Sequence, residues 1–525
     1  MKRLVVHPFL IAAYPVLFLF AQNIEKQVTL GTVVAPLVAV LAGTAGLLVV
    51  ARVVAGDWVR AGLVTSLLVF LFFAYGPVAD LLANSGMAVG PATLVAIWAV
   101  VAVIGVVLAV RSGEGGRRLS SVLNLIAAVL VALNVVPIVA YAVREPPAPA
   151  PARRAGGLPA WTSFDGAKRD IYYLVFDRYA RADTLAELYD FDNTEMLTFL
   201  EREGFFVASD SVANYPRTAH SLASSLNMTT LDYLSEQMKD DPSEHGPIYD
   251  LLRGSKVARY LQAMGYRYVH IGSFWGPTSK DPSADENLSY GALSEFSSVL
   301  LDTTVWEPIS DWLGRLDRSF DLRADHLGRI NFQFESLARI AQDDRPTFAF
   351  AHFTLPHPPY VVDADGDYVT REEASAHPRA YNYLQQLAYA NTRIQELVTE
   401  LLAVSEEDRP IIVIQSDEGP HPLEFERDIE GFKWTEASDI QLAEKMRILN
   451  AYFLPGVDRD RLYPSITPVN TFRLIFDLYF GADLPLLYDR AWVYEGVRDL
   501  YDFTDVTDRL RPDARSARDR ARTTS

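Results

Sequence analysis

The chain has 525 residues, half of them hydrophobic, a formal net charge of −18 and no cysteine. That length exceeds one ordinary domain, and the acidic balance argues against nucleic-acid binding. The missing cysteine excludes disulfides, thiolate metal ligands and a thiol nucleophile.

Residues 1–143 are almost free of charge and crowded with Val, Leu and Ala, whereas the acidic excess lies after residue 160. Five apolar segments, near 4–22, 28–51, 59–83, 91–110 and 119–143, match the roughly 20 residues a helix needs to cross a bilayer. Lys2 and Arg3 before the first run look like the start of a signal peptide. Four further spans without a cleavage site favour a multi-pass anchor instead. Lys2/Arg3, Arg52/Arg60 and Arg111/Arg117/Arg118 fall on one side, and the opposite loops carry little beyond Lys26. This predicts a plasma (inner) membrane protein with a cytoplasmic N-terminus, and an odd number of spans puts everything after 144 outside. Asp57 and Asp80 lie at span ends, and no run of ionisable residues lies inside the spans, so an anchor fits better than a transporter.

The segment 145–160 is Pro/Ala-rich and reads as a semi-extended linker, and 506–525 reads as a polar, disordered tail. Between them, 161–505 alternates apolar runs with helical patterns. Strands are predicted at Ile171–Phe176, Tyr266–Ile271, Thr347–Phe353, Ile411–Gln415 and Ile448–Leu454, and helices at Tyr381–Leu402 and Pro468–Phe480 among others. The expected fold is a transmembrane all-α bundle over 1–144 followed by an extracytoplasmic α/β domain. Its mostly parallel central sheet is covered by helices on both faces.

In such sheets functional groups gather past the carboxyl ends of strands. Asp177 follows the first strand, Ser416-Asp417-Glu418-Gly419 the fourth, Pro356-His357-Pro358-Pro359-Tyr360 the third, and Gly272-Ser273-Phe274-Trp275 the second. In N-Y-P-R-T-A-H-S-L-A-S-S-L-N (214–227) a turn leads into a helix at Thr218. The plain reading of Thr218 is an N-cap; the functional one is a hydroxyl at the positive end of a helix, where an anionic group can be attacked. Three converging carboxylates require a cation between them. Asp177, Thr218, Asp417 and Glu418 make an all-oxygen set for one divalent cation, Mn²⁺ or Mg²⁺ first, Ca²⁺ next, and Zn²⁺ last.

These motifs in this order resemble the sulfatase branch of the alkaline phosphatase superfamily: Asp177 after a strand, R-A-D-T-L (181–185), T-A-H-S (218–221), P-H-P-P-Y, S-D-E-G and M-R-I-L-N-A-Y-F-L-P-G (446–456). The five-span anchor with an external domain resembles lipoteichoic acid synthases and phosphoethanolamine transferases. The resemblance implies Thr218 as nucleophile and metal ligand, Asp177 and Asp417 as metal ligands, and His357 on the substrate or leaving group. It also implies that His270 and Trp275 line the pocket and that Ser221 supports the nucleophile. Glu418 stands where the family usually has His or Asn, and His421 is an alternative ligand or substrate contact. Gly276 and Pro277 replace the synthases' Arg after Phe-Trp. Thr218 cannot give the formylglycine of true sulfatases, which favours phosphoryl-type transfer. The implied reaction moves a phospho-head group, of phosphoglycerol or phosphoethanolamine type, from a membrane lipid donor to a cell-envelope glycan or lipid acceptor. The alternatives are a phosphoric or sulfuric ester hydrolase of the same fold and a catalytically silent envelope-binding protein.

Overall fold

The computed structural model describes residues 4–24, 30–87, 89–144, 158–164, 166–291, 293–340 and 345–511. The chain divides into two units, Met1–Ala150 with Ala292–Leu322, and Pro151–Gly291 with Arg323–Ser525.

The first unit contains α1 (His7–Gln22), α2 (Leu30–Ala55), α3 (Trp58–Asn84), α4 (Pro91–Arg111) and α5 (Glu114–Arg144). Four of these, α2 to α5, are long and apolar enough to cross a membrane. The remaining one, α1, falls short of the expected fifth span at 16 residues, about 24 Å at 1.5 Å per residue. Pro8 sits in its first turn, where the missing N–H has no helical partner to lose. His7 is fully buried, with Nδ1 2.6 Å from Ser66 Oγ and Nε2 3.1 Å from Ser120 Oγ. Asn124 Oδ1 accepts the N–H groups of Val6 and His7. This polar knot joins the beginnings of α1, α3 and α5, and Arg60 Nε donates to Ser112 O close by in sequence.

Residues Ala292–Leu322, which the sequence assigns to the catalytic domain, group with the membrane helices. Phe296 and Leu300, four apart on the helix Glu295–Asp302, pack into a cluster with Val16, Phe20 and Val33.

The second unit is built on strands β1 (Ile171–Phe176), β2 (Phe206–Val207), β3 (Arg267–Ile271), β4 (Glu286–Leu288), β5 (Thr347–Phe353), β6 (Ile411–Gln415) and β7 (Asn450–Phe453). They form one sheet in the order β2-β7-β6-β1-β5-β3-β4. The pairs among β6, β1, β5, β3 and β4 are parallel, and β7 runs antiparallel to both its neighbours. The two short strands β2 and β4 carry too little apolar pattern to be read from sequence. Every residue of β1, β5 and β6 is buried, as expected for parallel strands covered on both sides.

Side chains alternate across a strand, and the register therefore assigns the site to one face. Val175 pairs with His352 on one side and Gln415 on the other. Ile171, Tyr173 and Val175 share a core with Phe348, Phe350, Ile411 and Val413. Asp177, His352 and Asp417 continue those same alternations. The helix α6 (Thr218–Asn227) packs Leu222, Ala223 and Leu226 into the same core, which brings Thr218 to the face that carries them. The opposite face is covered by the helices Leu322–Ile340 and Arg379–Leu401 through Phe334, Leu337, Leu387 and Ile394.

The predicted linker, 145–160, lies outside the described residues up to 157. So does the tail from 512, whereas Thr507–Leu510 forms a helical turn with Leu510 buried. Behind the S-D-E-G loop, Gly419 N–H donates to Lys445 O at 2.7 Å, and a Cβ there would lie 2.2 Å from Glu444 O. Gly419→Ala is expected to cost about 1–3 kcal/mol by overpacking, read as a lowered thermal midpoint of the purified full-length protein.

Candidate functional site

Three adjacent parallel strands deliver the site. Asp177 extends β1, its N–H still donating to Phe353 O at 2.9 Å. His352 is the penultimate residue of β5, and Asp417 follows β6 by two residues. A carboxylate oxygen from each Asp and a ring nitrogen of His352 lie within 4.8 Å of one another, and all three side chains are buried. The His352 Nε2 to Asp177 Oδ2 distance is 3.9 Å. Two ligand atoms each about 2.1 Å from a shared ion lie at most about 4.2 Å apart, so this gap suits an ion between them.

Thr278 Oγ1 lies 3.0 Å from His352 Nδ1 and 2.7 Å from Ser273 Oγ. With the ring proton on Nδ1, donated to Thr278 Oγ1, His352 Nε2 carries a lone pair. It has no hydrogen-bond partner among the described residues, and neither do Asp177 Oδ1 or both oxygens of Asp417. Burial pushes the His352 imidazole down to about 3, so it is neutral. Burial, and then Glu418, pushes the Asp177 carboxyl up to about 7, and burial, then Asp177 and Glu418, pushes the Asp417 carboxyl well above the usual range. Buried unpaired acceptors are costly, and four such atoms facing one another fit a cation.

Thr218 is half-buried, at the first residue of α6, and the N-cap residue is Arg217. Capping is thus not its role. Its hydroxyl stands beside Asp417 and lowers that carboxyl's pKa, without a well-formed hydrogen bond. His357 is half-buried with Nε2 4.0 Å from Asp177 Oδ2, while Nδ1 donates to Pro358 O.

Glu418 stands apart from the Asp177–His352–Asp417 group. Its Oε1 meets Lys445 Nζ at 2.6 Å and His421 Nε2 at 3.3 Å, and both Glu418 and Lys445 are buried. His421 is held between Glu418 and Glu426, with Nδ1 3.8 Å from Glu426 Oε1. His270 is buried beneath the site: Nε2 donates to Thr278 O at 2.8 Å and Nδ1 lies 3.1 Å from Tyr268 Oη. It therefore supports the Thr278 turn that orients His352. Trp275 packs edge-on to His352 at 5.9 Å. Ser221 Oγ donates to Tyr215 O, tying α6 to the loop before it. The sequence reading missed His352 and Lys445. The available signals were a lone imidazole in the apolar strand T-F-A-F-A-H-F and a lysine in an otherwise buried stretch.

The sulfatase family model matches residues 181–446, half of the chain, and the chain belongs to the sulfatase family. Among solved structures it is similar to the C-terminal periplasmic domain of EcEptC from Escherichia coli. That match has 12% identity and a TM-score of 0.42, covering 65% of this chain and 93% of that one. It is also similar to the integral membrane lipooligosaccharide phosphoethanolamine transferase A from Neisseria meningitidis. Here the identity is 14% and the TM-score 0.34, covering 87% of this chain and 88% of that one. No curated protein sequence matches.

Two outcomes are expected. Thr278→Val, which removes the acceptor for His352 Nδ1–H, should weaken divalent-cation affinity about 10–100-fold, measured by calorimetric titration of the full-length protein. The two raised carboxyl pKa values mean that the folded state holds more protons than the unfolded one, so the metal-free protein should lose stability as pH rises through them. Adding Mn²⁺ should restore stability most at the upper end of that window and release protons. Thermal midpoints from pH 4 to 8, with and without the ion, check this.

Proposed function

We propose that this chain is a membrane-anchored, cation-dependent enzyme that transfers a phospho-head group from a membrane lipid to a cell-envelope glycan or lipid, with Thr218 as nucleophile. The observation that carries this reading is the Thr218 hydroxyl at the start of α6, beside Asp417 in the Asp177–His352–Asp417 group. The lipid donor is supported by the four helices long enough to cross a membrane. An external catalytic unit is supported by the basic residues Arg52 and Arg60 between α2 and α3 and Arg111, Arg117 and Arg118 between α4 and α5, which put the end of α5 on the opposite side.

Asp177, Asp417, His352 and Thr218 would hold one divalent cation, which supplies a counter-charge for the phosphate and for an ionised Thr218. A histidine among carboxylates widens the choice of metal from the all-oxygen expectation toward Mn²⁺ and Zn²⁺. Glu418 is assigned to Lys445 and not to the ion. In the first half-reaction the Thr218 Oγ–P bond forms, the ester P–O bond to the lipid breaks, and the Thr218 proton passes to Asp417. The departing alcoholate takes its proton from solvent, and His357 Nε2, whose lone pair is free because Nδ1 donates to Pro358 O, accepts the proton of the arriving hydroxyl and passes it to solvent. When that hydroxyl attacks phosphorus, the Thr218 Oγ–P bond breaks and Asp417 returns the proton to Thr218.

Arg217 adjoins the nucleophile. It is half-buried and has no carboxylate partner among the described residues, and its charge is felt at His220, His421 and Tyr494. A guanidinium so placed suits the non-bridging phosphate oxygens.

The test is diacylglycerol release from a fluorescent phospholipid panel by the full-length protein with Mn²⁺ or Mg²⁺. Thr218→Ala should lower release at least about 10³-fold. Arg217→Ala should lower kcat/KM about 10²–10³-fold, with partial rescue by Arg217→Lys. Release unchanged in Thr218→Ala would overturn the nucleophile. Release independent of any added acceptor would make the protein a hydrolase. Absence of cation binding would favour the silent envelope-binding reading.

A further inference from the structure

The segment Ala292–Leu322 leaves the second unit after the edge strand β4 and returns at the helix Leu322–Ile340. Within the first unit it is joined to α3 by two backbone hydrogen bonds. Gly76 N–H donates to Thr303 O at 3.0 Å, and Val305 N–H donates to Phe72 O at 3.0 Å. A Cβ at position 76 would lie 2.4 Å from Thr303 O, so this close approach requires glycine. Pro77, the next residue, has no N–H to add to the helix ladder. Phe296 and Leu300, just before this junction, are buried against α1 and α2 residues.

The depth of the junction follows from helix lengths. At 27 residues, α3 is about 40 Å long, against a hydrocarbon core of about 30 Å. Gly76 lies eight residues, about 12 Å, from the C-terminal end of α3. With the excess shared between the two ends, the junction sits about 7 Å below the hydrocarbon edge. Thr304, in the loop between the two bonds, is fully buried with its hydroxyl on Leu301 O, which satisfies the demand that polar groups at such depth find protein partners.

The chain then climbs through the helix Trp306–Gly314 to the turn Arg318–Phe320. Trp312, Leu316 and Phe320, spaced four apart, are 62%, 74% and 48% exposed. Trp312 is on the helix, Leu316 follows its end and Phe320 closes the turn, and three large exposed apolar side chains so near one another in sequence are costly in water. They belong to a unit whose helices expose Val103, Leu108, Leu133 and Val136 in the same way. Trp312, with an apolar ring and a polar N–H, is of the type that favours the headgroup boundary.

We propose that residues 306–320 lie in the bilayer interface, with Trp312, Leu316 and Phe320 inserted among the lipids, so that a segment drawn from within the sulfatase match is a built-in membrane element. Glu295, Asp302, Glu307, Asp311, Asp317 and Asp321 outnumber Arg315 and Arg318 across the segment. The contact is therefore apolar insertion and not attraction to anionic lipid. This inference is independent of the proposed reaction.

Because the chain has no cysteine, single-cysteine variants give clean labels. Trp312→Cys, Leu316→Cys and Phe320→Cys are labelled with a polarity-sensitive fluorophore in full-length protein reconstituted in phosphatidylcholine nanodiscs. Val103→Cys on α4 is the membrane control and Val404→Cys on the second unit the aqueous one. Labels at 312, 316 and 320 are expected to emit to the blue of 404, to resist aqueous iodide and to be quenched by lipids spin-labelled near the headgroup. Position 103 should be quenched by lipids labelled deep in the chain. Gly76→Leu in the Trp312→Cys background is expected to abolish lipid quenching at 312. Iodide quenching equal to that at 404 would overturn the proposal. Protection from both quenchers would also overturn it, by showing that protein covers these side chains.

Discussion

Two buried aspartates and a buried, neutral histidine bring a ligand atom each to within 4.8 Å of one another, and so many acceptors in one buried place call for a cation or a bound proton among them. This electrostatic constraint organises the second unit. Burial first, and then repulsion between like charges, which at a few ångströms in a buried setting amounts to several kcal/mol, pushes both carboxyls upward in pKa. The fold imposes the juxtaposition through register. With β6, β1 and β5 adjacent and parallel, Asp417, Asp177 and His352 must emerge on one face and at one end. α6 is pressed onto that face by Leu222, Ala223 and Leu226, and Thr218 stands at the end of α6 that carries the positive helix dipole.

Glu418 and Lys445 show how one change is absorbed by another. A third carboxylate in this cluster would deepen the repulsion. The lysine arrives from the helix Asp439–Met446, fully buried, and meets Glu418 at 2.6 Å. Burial lowers the lysine pKa, and the glutamate holds the charge on it. A buried pair of this kind is strongly destabilised when one member is removed, so the two residues are best regarded as a unit. The carboxylates left facing Thr218 are then two, matching a divalent charge, with His352 as a neutral companion. Arg178 is likewise committed, to Glu426, which Arg379 also meets. Arg217, next to Thr218, meets no carboxylate among the described residues.

The two units are linked by more than a tether. The chain passes between them near 150, at 291–292 and at 322–323. The inserted segment is held to α3 by backbone bonds that only a glycine permits. The sulfatase match runs through this segment without a break, so a membrane element is embedded within a domain whose family resemblance concerns the soluble fold.

The sequence by itself determined the apolar N-terminal third, the strand-forming runs and the chemistry at their ends. These are local properties: helix length, alternation and the habit of parallel sheets to present their carboxyl ends. Asp177, Asp417, Thr218 and His357 were legible for that reason. Only the tertiary structure decided who partners whom. His352 lies inside an apolar strand and joins the site through register with Val175, a relation between residues 177 positions apart. Lys445 takes Glu418 away from the aspartates because a distant helix carries it there, and His270 turns inward because Thr278 O accepts its proton. The fate of 292–322 was equally hidden, since nothing in its composition announces two hydrogen bonds to a helix more than two hundred residues earlier. Contacts of such range depend on how the chain closes on itself, and no local pattern encodes that closure.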